Sequence, residues 1–172
     1  MLYDITITQF TKTLQNLSLI LDKAAAHAEA KKFDVEVLLN TRLAPDQFHL
    51  LQQVQIACDT AKNGVARLTG KEAPAFEDNE KSLADAKARI EKTITYLQTI
   101  AAKDFAGAQE RQISQPRWAG KYLTGHEFAL HHVIPNFFFH VTTAYSILRS
   151  NGLDVGKKDY LGAMSFKEPA AK

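Results

Sequence analysis

Tyr3-Asp-Ile-Thr-Ile-Thr-Gln-Phe-Thr-Lys-Thr-Leu-Gln-Asn-Leu-Ser-Leu-Ile-Leu21 opens with a β-branched run, Ile5 to Thr8, that alternates as a strand does. The longer period decides otherwise. Tyr3, Ile7, Phe10, Leu14, Leu17, Leu21, Ala24 and Ala28 recur at alternating steps of four and three, the seam of a helix packed nearly parallel to its neighbours.

Three further segments repeat this pattern. A second helix is expected to begin near Pro45-Asp46, where proline needs no N–H partner and the acid meets the positive end of the dipole. Its seam is Leu51, Val54, Cys58, Ala61, Val65 and Leu68, and Gly70 is placed to end it in a left-handed conformation. A third spans Asn79 to Ala102, with Leu83, Ala86, Ile90, Ile94, Leu97 and Ala101 inward. The pattern fails between Lys103 and Tyr122, where Gly107, Pro116 and Gly120 leave room for a short extended excursion. The fourth helix opens with Thr124-Gly-His-Glu127, a capping box, and stops at Asn151-Gly152. The sequence therefore predicts an all-α four-helix bundle forming a single domain over 1–172. Its connections are long crossovers, and a short tail, Leu153 to Lys172, covers one end.

The balance of 21 basic against 19 acidic residues, a net +2, argues against a nucleic-acid surface, which needs a clustered basic excess. One cysteine, Cys58, excludes an intrachain disulfide and suits a reducing compartment. The N-terminus lacks the basic segment and apolar core of a secretory signal. The apolar stretch Val133 to Phe139 is interrupted by Pro135 and Asn136 and is too short to span a bilayer. The expectation is a soluble, cytoplasmic protein with no membrane partner.

The fourth segment is apolar nearly all round, which implies burial on several sides. His132, Asn136 and His140 interrupt it at i, i+4 and i+8 and share one face. Buried polar groups without partners cost roughly 1–3 kcal/mol each, so this stripe needs hydrogen bonds or a ligand. Pro135 cannot donate to the carbonyl of His131, and its ring tends to kink the helix beside Asn136. Spacing alone leaves two readings open: a ligand cavity, or core polar groups bonded to a neighbouring helix with Pro135 fitting its curvature.

The block Ile134-Pro-Asn-Phe-Phe-Phe-His140-Val-Thr-Thr-Ala-Tyr-Ser-Ile-Leu-Arg149, followed by Gly156-Lys-Lys-Asp-Tyr-Leu-Gly162, resembles a branch of unknown function within the DinB/YfiT-like bundles. Arg42-Leu-Ala-Pro-Asp46 and Gln53-Val-Gln-Ile-Ala-Cys-Asp59 match the same branch, so the resemblance covers nearly the whole chain. It implies a four-helix bundle, often homodimeric, that commonly holds a divalent metal ion (zinc or nickel) between a histidine of helix two and an H-x₃-H pair of helix four. Relatives include thiol-dependent transferases and hydrolases. His140 matches the second histidine of that pair, while Asn136 stands where the first belongs. An amide oxygen is a poorer zinc or nickel ligand than imidazole. His132 lies one turn earlier, and could substitute if the Pro135 kink brought it round. On helix two, His49 projects away from the seam, whereas Gln55 and Asp59 lie beside it, and each is a candidate partner for the helix-four stripe.

Other residues read as structural. Cys58 sits on the seam as a small hydrophobe; His27, His126 and His131 read as surface groups; Lys157 and Asp159 are expected to pin the tail. Trp118 with Arg117 either lips a pocket or covers core, and Lys71 to Lys81 reads as a solvated loop. Three functions follow: a metal-assisted hydrolase or transferase, a binding protein that keeps the cavity for a small molecule without metal, and a structural homodimer whose polar stripe fixes helix register.

Overall fold

The computed structural model describes residues 1–168; the end of the expected tail, 169–172, lies outside the described residues. The first helix forms as its period predicts. A π-helical turn, Asp4–Thr8, leads into α1 (Gln9–Lys31), and Phe10, Leu14, Leu17, Leu21, Ala24 and Ala28 are all buried. A single turn, α2 (Glu36–Leu39), follows.

The next long helix, α3 (Leu50–Thr69), starts later than expected. Pro45 and Asp46 are instead the middle of a turn closed by the Gln47 N–H on the Ala44 carbonyl at 3.0 Å. Proline's fixed φ serves the second position of a turn as well as the first position of a helix. His49 caps α3 in their place, its Nδ1 accepting from the Gln52 N–H at 3.4 Å. Gly70 ends the helix at φ 73°, as predicted.

The third long helix, α4 (Leu83–Gln98), is shorter at both ends than the expected 79–102. Ser82 caps it, its Oγ accepting from the Asp85 N–H while the Asp85 carboxylate accepts from the Ser82 N–H. At the other end Asp104 accepts from the Ala101 N–H at 2.8 Å and starts a separate 3₁₀ turn, Ala102–Phe105. Ala101 is therefore exposed, not inward. The extended excursion is an antiparallel hairpin of β1 (Gln112–Ser114) and β2 (Tyr122–Thr124), with Ile113 opposite Leu123. A 3₁₀ turn, Pro116–Trp118, lies in its loop.

From the Thr124 capping box the chain runs without a break through α5 (Gly125–Phe128), a π-helical turn (Ala129–Val133) and α6 (Ile134–Ser150). Only glycine fits at 125, because a Cβ there would meet the Ala108 carbonyl. The tail carries a short helix, α7 (Lys157–Leu161), that periodicity did not reveal. It packs on α1: Asn16 donates to the Tyr160 carbonyl at 3.0 Å, and Lys23 pairs with Asp159 at 2.6 Å.

The four long helices form a ring in the order α1, α4, α3, α6. Both α1 to α3 and α4 to α6 are thus diagonal steps, which is why their connections are long. The helical seams meet in one core that includes Phe10, Leu50, Ile90 and Phe137. Among the described residues no helix is long and apolar enough to cross a membrane.

Candidate functional site

Along α3, Gln53, Thr60, Asn63 and Arg67 follow one another at helical spacing and form a polar line beside the apolar seam. This line faces the His132, Asn136 and His140 stripe across the α3–α6 contact. Between the two is a cleft of about 380 Å³, a size that suits a small molecule. Thr60, Asn63, Arg67, His132, Asn136 and His140 all line it, with Phe48, Ile56, Phe128 and Val133 as apolar walls.

His140 is buried, and its Nδ1 lies 2.7 Å from Gln53 Oε1. The Gln53 amide nitrogen donates to the Phe48 carbonyl at 2.9 Å, and a carbonyl can only accept. That bond fixes which end of the amide faces the imidazole. Gln53 Oε1 must accept, so Nδ1 carries the proton and the lone pair is left on Nε2. Burial holds the His140 pKa below the ordinary histidine value, which keeps the ring neutral. The site thus presents an oriented imidazole whose free nitrogen is a hydrogen-bond or proton acceptor. Asn136 spends its amide N–H on Thr60 Oγ1 at 2.7 Å.

The disruption expected at Pro135 takes the form of the π turn directly before it. The Ile134 N–H reaches back five residues to the Ala129 carbonyl, and the next residue in that series has no N–H to offer. Across the same turn, a Cβ on Gly64 of α3 would lie 2.5 Å from Val133 Cγ1. Glycine there lets α3 approach the π turn closely enough to form the cleft wall.

At the other end of the cleft Arg117, carried by the hairpin loop, places Nη2 3.3 Å from His132 Nε2. A guanidinium only donates, so Nε2 accepts here and the His132 proton is on Nδ1. The His132 ring is held between Phe128 (centroids 5.5 Å apart) and Trp118 (6.0 Å). Burial, then the charges of Arg117 and Arg67, depress the His132 pKa. Burial and Arg117 depress that of Arg67 in turn. Trp118 covers core, and Arg117 lips the pocket.

The three helix-two candidates separate. His49 caps α3 and does not line the cleft. Gln55 donates to Glu80 Oε2 at 2.8 Å, away from it. Asp59 does reach the cleft, but pairs with Lys62 at 3.1 Å and Arg89 at 3.0 Å. Arg89, 2% exposed, organises the loop that sequence presents as merely solvated. It pairs with Glu80 and Asp78, each at 2.8 Å, and donates to the Glu77 carbonyl. Burial pushes the Glu80 pKa up, but hydrogen bonds from Arg89 and Gln55 outweigh it and hold Glu80 below its ordinary value. Cys58 is fully buried, and burial pushes its thiol up to about 12, far from a thiolate nucleophile.

These donors do not fit the three-ligand zinc or nickel site that the resemblance implies. Among the described residues one imidazole nitrogen at the cleft is free, the helix-two position supplies no histidine, and the one carboxylate lining the cleft, Asp59, is paired with two cations. Among the described residues no group of three histidine, cysteine or acidic side chains is arranged to hold a metal ion.

Sequence reasoning found the helix-four stripe but missed Gln53, Thr60, Asn63 and Arg67. The signal was present: a polar line at helical spacing along the second seam. Arg117, which sequence leaves between lipping a pocket and covering core, is brought to the cleft by the hairpin loop.

Residues 2–161 match the family described as Domain of unknown function (DUF1993). A solved structure, described as the crystal structure of a DinB family member protein from Shewanella denitrificans, is 62% identical to this chain. It superposes with a TM-score of 0.96, over 98% of this chain and 96% of that one. Comparison with curated proteins gives no match.

Proposed function

The chain belongs to the DUF1993 family of DinB-like proteins, and on that premise we propose that it is a small-molecule-binding protein whose ligand site is the α3–α6 cleft, used without a metal ion. The observation that carries this reading is the Phe48–Gln53–His140 chain of hydrogen bonds, which leaves Nε2 as the free acceptor of a neutral imidazole that lines a cleft of ligand size. An acceptor so fixed selects ligands carrying a hydroxyl, thiol or N–H donor. Metal-assisted hydrolysis or transfer needs ligands that the cleft does not supply.

A second reading rests on the same nitrogen, which could remove a proton from a bound hydroxyl or thiol as a general base. The group behind His140 weighs against it. A carboxylate would stabilise the imidazolium that proton transfer creates; the Gln53 amide orients the ring but carries no charge. Binding is therefore favoured over catalysis.

The homodimer implied by the family resemblance belongs to the same proposal. Phe48 and Phe139 both flank His140, the latter with ring centroids 5.2 Å apart, and both are at least half exposed. Sedimentation of a monomer at micromolar concentration would remove it. A cytoplasmic location is also proposed, on the lone buried thiol of Cys58.

The test is ligand-observed NMR of untagged, EDTA-treated protein against a library of small neutral and anionic metabolites. Compounds that bind the wild type and are lost in His140→Ala support the cleft as a metal-independent site. A library without hits, or hits indifferent to His140→Ala, contradicts it.

A further inference from the structure

We propose that the end of the cleft formed by Arg67, Arg117 and His132 is a subsite for an oxyanion headgroup, carboxylate or phosphate, of a small ligand whose remainder runs toward His140. The proposal rests on the cleft being the ligand site and specifies the ligand's chemical class.

The charge census is one-sided. Two guanidinium groups from separate elements, α3 and the hairpin loop, line the same concave surface. Among the described residues neither lies within 4.0 Å of a carboxylate; every ion pair involves other groups. The one acid among the described residues that lines the cleft, Asp59, is already shared between Lys62 and Arg89.

The hydrogen-bond inventory agrees. A guanidinium carries five N–H donors. Arg67 uses one, on the Asn63 carbonyl of its own helix at 3.3 Å, and Arg117 uses one on His132. The donors that remain belong to side chains at the mouth of a cleft, where a planar or tetrahedral oxyanion accepts bidentate bonds.

Two like charges held close to each other are unfavourable until something stands between them. Burial first, and then the Arg117 charge, lower the proton affinity of both Arg67 and His132. An anion bridging both would convert that repulsion into attraction. His132, kept neutral and wedged by Phe128 and Trp118, fixes the position of the Arg117 fork, which would otherwise be set only by a loop. The rest of the cleft is half apolar, with Ile56, Phe128 and Val133 beside Asn63 and Asn136. That lining suits an amphipathic body behind a charged head. A concave pair of arginines addresses one headgroup, whereas a polymer backbone is tracked by a row of cations.

The experiment is an NMR titration of ¹⁵N-histidine- and ¹⁵N-arginine-labelled protein with sodium acetate and, separately, inorganic phosphate. Ionic strength is held constant with chloride. The expected result is a saturable shift of the His132 and Arg117 side-chain signals with at least one probe, and which probe binds tighter identifies the headgroup. Arg67→Gln and Arg117→Gln should each weaken it by about tenfold or more, the loss expected for a charge-assisted pair. Lys31→Gln, the same charge change at an exposed position at the end of α1, should leave it unchanged. Arg117→Lys keeps the charge but not the fork and should fall between.

Absence of a saturable shift with either probe on wild-type protein overturns the proposal without reference to any variant. Equal weakening by Lys31→Gln also overturns it, since binding would then follow net charge. If neutral library compounds still bind through His140 while both anions fail, the subsite is wrong and the cleft reading stands. If the neutral compounds fail as well, both fall.

Discussion

At the scale of single residues, the site depends on Gln53 more than its side chain suggests. Replacing it with glutamate places a carboxylate on His140 Nδ1, which should raise the His140 pKa above its burial-depressed value. A side-chain NMR pH titration reads this directly; an unchanged or lower pKa would mean that Gln53 does not orient the ring. Gln53→Leu instead leaves the Nδ1 proton and the Phe48 carbonyl without partners, and should cost roughly 1–3 kcal/mol in urea unfolding. The pH dependence of stability follows from the same burial. His140, His132 and His49 all have folded pKa values depressed below the ordinary 6.5. Between the folded and unfolded values the unfolded chain binds more protons, so stability falls as pH drops below about 6.5. His140→Gln should flatten part of that slope, and a steeper slope in the variant would reverse the assignment. His140 and Asn136 were legible in the sequence because polar residues on an otherwise apolar helix are conspicuous. Gln53 was not, because it lies in a helix rich in glutamine, where partner choice depends on the turn containing Phe48.

At the scale of elements, the cleft exists because α3 and the π turn before α6 approach closely at Gly64. Gly64→Ala puts a methyl group against Val133 Cγ1 and should cost about 1–3 kcal/mol in unfolding free energy while widening the α3–α6 spacing. A variant as stable as the wild type would show that Val133 moves aside freely. The loop before α4 is tied down by Arg89. Arg89→Met removes the cation shared by Asp59, Asp78 and Glu80 and should destabilise toward the low end of about 3–5 kcal/mol, since Asp59 keeps Lys62, Glu80 keeps Gln55 and Asp78 is open to solvent. Thermal unfolding checks this, and a neutral effect would make the network ornamental. Helix identity was readable from the seams of Leu, Ile, Val and Ala, but boundaries were not. Pro45 suits a turn as well as a helix start, and Asp104 stops the third helix through a local bond that periodicity does not register. Residues 77–80 looked solvated because their partner, Arg89, stands outside the seam of Leu83, Ala86, Ile90, Ile94 and Leu97 and yet is buried.

At the scale of the whole molecule, the four seams already specify a four-helix bundle, and the long connections anticipate its diagonal ring order. What sequence left open was how the two polar lines meet. That depends on the α3–α6 pairing and on a hairpin that carries Arg117 across the cleft. The bundle is held by its apolar core and the Arg89 network, and the proposed site makes no use of a metal ion. The most direct test is therefore ¹⁵N NMR of the histidine side chains at neutral pH, first in EDTA and then with one equivalent of zinc. The expected result is a neutral His140 with its proton on Nδ1 and an unprotonated Nε2, unchanged by zinc, and a melting temperature indifferent to EDTA. Stoichiometric zinc that moves the His140 Nε2 signal and raises the melting temperature would contradict the metal-independent site.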